Sequence, residues 1–310
     1  RTTSARVARQ AHMLANSFEA DRSSVSVRTV LTAIARTKPQ LKATPEASPI
    51  VKWVGGKSRI LSQLLPLLPQ GAELFVGGAA MFFARQPERA LLCDKNAQLC
   101  ATYEAVRDDV ESVIDKLREL AKGHNAERYY QLRHRYNHAK RMSDCERAAL
   151  FIYLNKTCFN GLHRVNRRGE FNVPAGRYTN PRILDEGLLR AASARLARVE
   201  LRCESFEALL SHAKPGDFIY FDPPYEPVSP TASFTAYQSD GFSREDQTRL
   251  RDVFTELDRR RCKLMLSNSD VPFIRELYRK YRVDTVAAPR AINCDAKGRG
   301  KVTEVVVRNY

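Results

Sequence analysis

The chain has 310 residues, with 51 Lys and Arg against 35 Asp and Glu and a formal charge of +16, a size that suits one large α/β domain or two modest ones. A hydrophobic share of 43% with 9% aromatics supplies a core, which excludes a wholly disordered or fibrous chain. The longest unbroken apolar run, Ala148 to Leu154, falls far short of the roughly 18 to 20 residues of a membrane span, so no membrane partner is expected and the positive excess points to an extended polyanion, nucleic acid first.

Residues 1–48 carry eight basic and three acidic side chains and a single aromatic, Phe18. Such a segment buries little and reads as a flexible basic extension with a short helix over Val25 to Ala35; the alternatives are an accessory DNA-contacting arm or a targeting segment. From Ile50 the pattern alternates between strand and helix. Glu73 to Val76 reads as a strand entering a turn at Gly77 and Gly78, and Ala90 to Cys93 as a second strand ending at Asp94. Apolar positions at helical spacing (Val106, Val110, Val113, Ile114, Leu117, Leu120) predict one amphipathic helix from about Asn96 to Leu120. A strongly apolar helix follows at Glu146 to Leu154.

Asn155 to Pro181 is rich in Asn, Gly and Arg and reads as hairpin or loop. Between Phe151 and Leu184 there are six basic residues and one acidic, so the charge is concentrated there. Asp217 to Phe221 is a buried strand running into Asp222-Pro-Pro-Tyr225. A helix over Arg244 to Arg260, a strand at Lys263 to Ser267 and a helix from Val271 to Lys280 come next. Strands near Val283 to Val286 and Val302 to Val307 close the chain as the antiparallel end of a mixed sheet. The organisation is a mixed-sheet α/β domain interrupted by a mostly helical, basic insertion.

Seven cysteines without a C-x-x-C pair suit reduced, buried thiols in a cytosolic protein rather than a disulfide framework. His134 and His138 with Cys145 have a loosely metal-like spacing, but Arg133, Arg135, Lys140 and Arg141 around them suit a solvated basic face, and no metal is expected.

Asp222-Pro-Pro-Tyr225 follows a buried strand and so sits at a carboxyl-terminal sheet edge, where open α/β sheets place ligands. Pro223 and Pro224 fix the backbone and lack N–H groups, so neighbouring carbonyls are presented as acceptors. A fixed carboxylate beside a fixed carbonyl suits a planar amino group, and Tyr225 offers a face on which a base can stack. A second constellation is Phe75-Val-Gly77-Gly78 with Asp94 at the end of the following strand. A glycine turn admits a ligand close to the backbone and an acid there accepts from ribose hydroxyls, so a nucleoside-containing cofactor fits. The stretch Lys52 to Ser58 superficially resembles a phosphate loop but has Val51 where that motif needs its first glycine.

Lys52-Trp-Val-Gly-Gly-Lys57, Phe75-Val-Gly-Gly78, Asp94-Lys-Asn96, Phe159-Asn-Gly-Leu-His-Arg-Val-Asn166 with Gly169-Glu-Phe-Asn-Val-Pro174, and Asp222-Pro-Pro-Tyr225 with Phe234-Thr-Ala-Tyr237 together resemble the Dam-type adenine-N6 DNA methyltransferases in the α arrangement. The resemblance runs from about Ile50 to Tyr310. It implies a Rossmann-like S-adenosylmethionine-dependent methyltransferase sheet over residues 49–105 and 185–310. Into this is inserted a mostly helical target-recognition domain, residues 106–184, carrying a β-hairpin. It implies catalysis by Asp222, Pro223, Pro224 and Tyr225, and an S-adenosylmethionine site bordered by Trp53, Lys57, Phe75, Gly77, Gly78, Asp94 and Asp222, without a metal. Asp222 and the Pro223 carbonyl would accept the two N6 hydrogens of a flipped adenine.

The resemblance further implies that Lys52, Phe159, Asn160, Leu162, Arg164, Asn166, Pro174 and Arg177 meet double-stranded DNA. Phe159 would intercalate beside the flipped base. Arg164 would read guanine in GATC, and Arg167, Arg168 and Arg177 would touch phosphates. Asp rather than Ser before Pro-Pro-Tyr favours adenine over cytosine N4, and the hairpin favours DNA over RNA. A cytoplasmic, nucleoid-associated monomer is the expected setting. The alternative, motivated by Leu74 and Ala79, is a cofactor-impaired relative that binds DNA without modifying it.

Overall fold

The computed structural model describes residues 46–53, 55–69, 75–76, 79–228, 242–289 and 301–310. The expected helix at Val25 to Ala35, the turn at Gly77 and Gly78, Leu74 and the stretch from Phe234 to Tyr237 lie outside these residues. A 3₁₀ turn at Lys57–Arg59 leads into α1 (Leu61–Leu64). After β1 (Phe75–Val76) come α2 (Ala79–Arg85), β2 (Ala90–Cys93), α3 (Ala97–Asp108), α4 (Val110–Ala121), α5 (Ala126–His138) and α6 (Asp144–Thr157). The chain continues through α7 (Glu186–Leu196), β3 (Val199–Arg202), α8 (Leu209–His212), β4 (Phe218–Phe221) and α9 (Arg244–Arg259). It ends with β5 (Lys263–Ser269), α10 (Pro272–Leu277), β6 (Arg282–Pro289) and β7 (Lys301–Arg308).

The strands form one mixed sheet in the order β3-β2-β1-β4-β5-β7-β6. The first five are parallel, whereas β7 runs antiparallel to both β5 and β6, with Leu266 opposite Val307 and Val283 opposite Val307. Alternation along β4 sends Phe218 and Tyr220 into one core and Ile219 and Phe221 into the other. All four are buried because helices cover both faces. On one face α9 contributes Leu250, Val253, Phe254 and Leu257. On the other, Leu99 and Val106 of α3, Leu117 of α4, Tyr129 of α5 and the nearly all-buried α6 share one core with Ala90, Leu92 and Phe218 of the sheet. Ala47 is already buried in that core.

The helix expected over Asn96 to Leu120 is two helices. Asp109 (φ −150, ψ 70) ends α3 and caps α4, its carboxylate accepting from the Ser112 backbone N–H, a capping geometry that the hydrophobic period alone conceals. The helices α1, α2, α5, α7 and α8 and the strand β3 were absent from the sequence reading. α5 buries Tyr129, Leu132 and Tyr136 at helical spacing inside an otherwise polar stretch, α7 is rich in alanine and arginine, and β3 is a four-residue sheet-edge strand, half of it charged.

Of the six described cysteines, all free thiols, Cys100, Cys158 and Cys262 are buried but Cys203 is exposed, so the expectation of buried thiols holds only in part. The His134 and His138 rings stack at 4.3 Å, while Cys145 points its thiol toward Asp109. Among the described residues there is no cluster of His, Cys, Asp or Glu able to hold a metal ion, and no helix long and apolar enough to cross a membrane.

The sheet order reverses at β1, which has β2 on one side and β4 on the other. By the general rule for open parallel sheets, the crevice that receives a ligand lies beyond the carboxyl ends of β1 and β4.

Candidate active site

Asp222 leaves the buried end of β4 into this crevice. Its Oδ1 lies 2.6 Å from Nζ of Lys57, whose side chain is 3% exposed against 25% for Asp222. The Lys57 ammonium also donates to the Gly55 carbonyl and stands 4.5 Å from the centre of the Tyr225 ring. Burial pushes the Asp222 carboxyl above the usual carboxylate range, and the Lys57 charge opposes that rise. The Tyr225 hydroxyl donates to Glu304 on β7 at 2.8 Å, and burial first, then neighbouring acids, push it far up, so it stays a neutral phenol.

Behind the turn, Gln247 of α9 donates to the Pro224 carbonyl at 3.0 Å, and Asn268 of β5 accepts from the Glu226 N–H at 3.0 Å. The Glu226 carboxylate is tied to Arg244 at 2.7 Å. A carboxylate, a cation and an aromatic face thus converge on one loop whose backbone is held from below.

The end of β2, on the far side of β1 from β4, carries Asp94, whose Oδ1 accepts from the Asn96 N–H at 2.8 Å. Asn96 in turn caps α3 through the Leu99 N–H. Burial raises the Asp94 carboxyl, and the Asp222 charge contributes to that rise. Phe75 pairs with Ala90 and Phe218 at the centre of the sheet. Ala79 opens α2 and is not among the described non-glycine residues with positive φ, which are Gln86, Asn160 and Arg261. Trp53 stacks on His163 at 5.3 Å with 25° between the planes, and His163 Nε2 donates to Gln98 of α3 at 2.9 Å. Two strand-end acids, one on β2 and one on β4 with β1 between them, are acceptors suited to ribose hydroxyls and a cationic group.

From Cys158 to Gly176 the chain folds back on itself. Antiparallel bridges join Cys158 to Ala175 and Val165 to Phe171, and the Phe159 N–H donates to the Pro174 carbonyl. Asn166 holds the tip, its Oδ1 accepting from the N–H groups of Arg168 and Glu170 and its Nδ2 donating to Glu170, so its amide is spent on the turn. Arg164 donates to the side chain and carbonyl of Asn172 across the fold. Phe159 is 47% exposed, unusual for a large aromatic. Asn160, Pro174 and Arg177 are exposed as well, with Leu162 half-buried beside Phe159.

Lys52 lies against this fold, its ammonium 4.5 Å over the Tyr178 ring and 3.3 Å from that hydroxyl. Gly161 has φ +65, and a Cβ there would come within 2.6 Å of the Lys52 side chain, so only glycine permits the approach. Asn155 at the end of α6 accepts from the Lys52 N–H and donates to the Lys52 carbonyl, both at 2.7 Å, and donates to the Gly161 carbonyl at 3.2 Å. The residues expected from the sequence therefore form two neighbouring groups joined by the Lys52–Trp53 segment.

Sequence reasoning missed Asn155, His163, Gln247, Asn268 and Glu304. The one available signal was the polar run Ser267 to Ser269 ending an otherwise apolar strand.

A profile of the D12 class N6 adenine-specific DNA methyltransferase family matches residues 53–292. The Type II methyltransferase M1.LlaDCHI of Lactococcus lactis subsp. cremoris is 41% identical over 270 residues, 84% of this chain and 95% of its own. The Type II methyltransferase M.MjaIII of Methanocaldococcus jannaschii is 40% identical, covering 86% of this chain and 100% of its own. The DNA adenine methylase of Escherichia coli K12 is 36% identical, covering 83% and 93% respectively.

Proposed function

The chain belongs to the D12 class N6 adenine-specific DNA methyltransferases, and on that premise we propose that Asp222, Pro223, Pro224 and Tyr225 direct methyl transfer from S-adenosylmethionine to an adenine flipped out of GATC in duplex DNA. The observation that carries this reading is the convergence of Asp222, Lys57 and Tyr225 at the carboxyl end of β4. S-adenosylmethionine supplies an electrophilic methyl group on sulfur. Trp53, Lys57, Phe75, Gly77, Gly78 and Asp94 would hold it, with Asp94 on the ribose.

Asp222 and the Pro223 carbonyl accept the two N6 hydrogens, which turns the nitrogen lone pair out of conjugation and toward the incoming methyl. The raised proton affinity of Asp222 suits it to take the proton that N6 sheds. Tyr225 stacks on the base. Positioning of this kind contributes several kcal/mol, on the order of an effective-molarity effect. No metal takes part in this reading.

Residues 49–105 and 185–310 are the catalytic part in this reading, and residues 106–184 the target-recognition part. Exposed Phe159 fills the gap left by the flipped base. Lys52, Asn160, Leu162, Arg164 and Pro174 read base edges, while Arg177 positions the backbone. Asn166 acts by shaping the turn that presents them. The alternative of DNA binding without catalysis drew on Leu74, which lies outside the described residues, and on Ala79, which opens the helix α2. The enzyme acts as a monomer on chromosomal DNA in the cytoplasm.

The decisive experiment supplies labelled S-adenosylmethionine and two duplexes, one with GATC and one scrambled, and maps N6-methyladenine by mass. Methyl in the GATC duplex alone is expected. Asp222→Ala should abolish transfer while binding both duplexes as the parent does; near-parental turnover by that variant sinks the role of the turn, and transfer at another sequence overturns GATC.

A further inference from the structure

Pro223 and Pro224 have no N–H, so the catalytic turn cannot tie itself with its own backbone donors and must be held from outside. Beneath it lie two side-chain amides, Gln247 and Asn268, both fully buried. Asn268 Oδ1 receives two backbone donors, the N–H of Glu226 at 3.0 Å and that of Ser269 at 2.8 Å. These two donors decide which way the amide points, because only an oxygen accepts. Asn268 Nδ2 is then turned to donate to Gln247 Oε1 at 3.0 Å, and Gln247 must present Nε2 to the Pro224 carbonyl, also at 3.0 Å. Donor follows acceptor in one direction from β5 through α9 to the turn.

We propose that Gln247 and Asn268 are positioning residues for methyl transfer, a one-way amide relay that sets the Pro224 carbonyl and through it the Asp222–Tyr225 turn. The inference rests on the reading that this turn is the catalytic one. The relay enters from rigid elements: Gln247 sits in the first turn of α9, behind a reciprocal cap between Ser243 and Asp246, and Asn268 near the end of a buried strand. Neither amide is among the groups proposed to touch base or cofactor. Their effect is on where the Pro223 carbonyl, Asp222 and the Tyr225 ring stand relative to the amine. Reversing or removing one link turns the Pro224 peptide, and a displacement of this order at the reacting centre costs rate rather than affinity.

The test is Gln247→Met, which keeps length and volume but removes both polar atoms, assayed for kcat, for S-adenosylmethionine and DNA binding, and for fluorescence of 2-aminopurine placed at the target adenine. The expected result is a kcat lowered roughly 10- to 100-fold with both dissociation constants within about threefold of the parent and the extrusion signal retained. A parental kcat in the folded variant overturns the proposal, as does a loss of rate no larger than the loss of binding, which marks a merely structural role. Where Gln247→Met fails to fold, Asn268→Asp decides by the same comparison: it keeps both backbone contacts, removes the donor facing Gln247, and turns that amide so that oxygen faces the Pro224 carbonyl. Asp222→Ala separates the two ideas. If it retains turnover, the catalytic reading of the turn falls; if it is inactive while Gln247→Met is unimpaired, only the relay falls.

Discussion

Lys57 and Asp222 form the tightest pairing of opposite charges in the crevice, and their unequal exposure decides what each does. The Lys57 ammonium has almost no contact with water, so it is tolerated through the Asp222 carboxylate, the Gly55 carbonyl and the Tyr225 face. Asp222 is pulled two ways, burial raising its pKa and Lys57 lowering it, with burial the larger. Its folded pKa is therefore above its unfolded one. The group favours the folded state most below the unfolded value, and that contribution is lost as pH rises through the folded pKa. Holding it ionised at neutral pH costs stability in exchange for a ready acceptor. In the proposed mechanism activity has the opposite dependence, because there the carboxylate accepts N6 hydrogens, so kcat/KM should fall on the acid side at a pH above the ordinary aspartate value. Lys57→Met removes the one cause that lowers Asp222, and the acid limb of kcat/KM should move to higher pH; an unmoved limb would show that ionisation of Asp222 does not govern it.

Among the elements, the short segment carrying Lys52 and Trp53 links the α6 end, α3 and the Cys158–Gly176 fold. Asn155 grips its backbone on both sides, and His163 wedges among Trp53, Phe151 and Phe171 at 5.3, 5.7 and 5.9 Å while donating to Gln98. Burial lowers the His163 pKa, so the ring is held neutral. A depressed folded pKa gives stability that is present above the unfolded value near 6.5 and drains away as pH falls toward the folded one. The parent should thus lose melting temperature more steeply than His163→Phe between about pH 7 and 5. His124, whose pKa burial also lowers, is present in both proteins and cancels in the difference; parallel curves would mean that His163 charges without penalty.

None of this wedge was legible in sequence, where His163 is one letter within a motif. What was legible is local: the β4 strand and its turn, the apolar helix at Glu146 to Leu154, and the antiparallel pair at the end of the chain. The break at Asp109 and the tyrosine-based α5 escaped because a capping residue and aromatic rings with polar tips do not register as hydrophobic period.

At the scale of the whole molecule, strand order and the acid pair at the switch point came from pairings between distant segments, which no local pattern encodes. Asp94 and Asp222 were both found as strand-end acids, but that they end strands on either side of β1 follows only from the sheet order. The supports under the turn were invisible for the same reason: Gln247, Asn268 and Glu304 come from three later elements. Charge, by contrast, is readable at once, and the +16 balance is a statement about the partner. Arg167, Arg168 and Arg177 stand exposed on the Cys158–Gly176 fold and its exit, whereas Arg164 lies across the fold against Asn172.

On the proposed reading these positions make two kinds of contact with separable signatures. Neutralising Arg167, Arg168 and Arg177 together to Gln removes up to three phosphate contacts. The slope of log K against log salt should then become shallower by about 2.7, near 0.9 per contact, with GATC preference unchanged. Arg164→Ala should instead leave the slope nearly unchanged and relax sequence choice by roughly 1 to 3 kcal/mol at the guanine it is proposed to read. Binding to GATC and scrambled duplexes across a salt series measures both quantities at once. If Arg164→Ala changes slope alone, it is another phosphate contact; if the triple variant loses preference, the exposed arginines rather than Arg164 set the site.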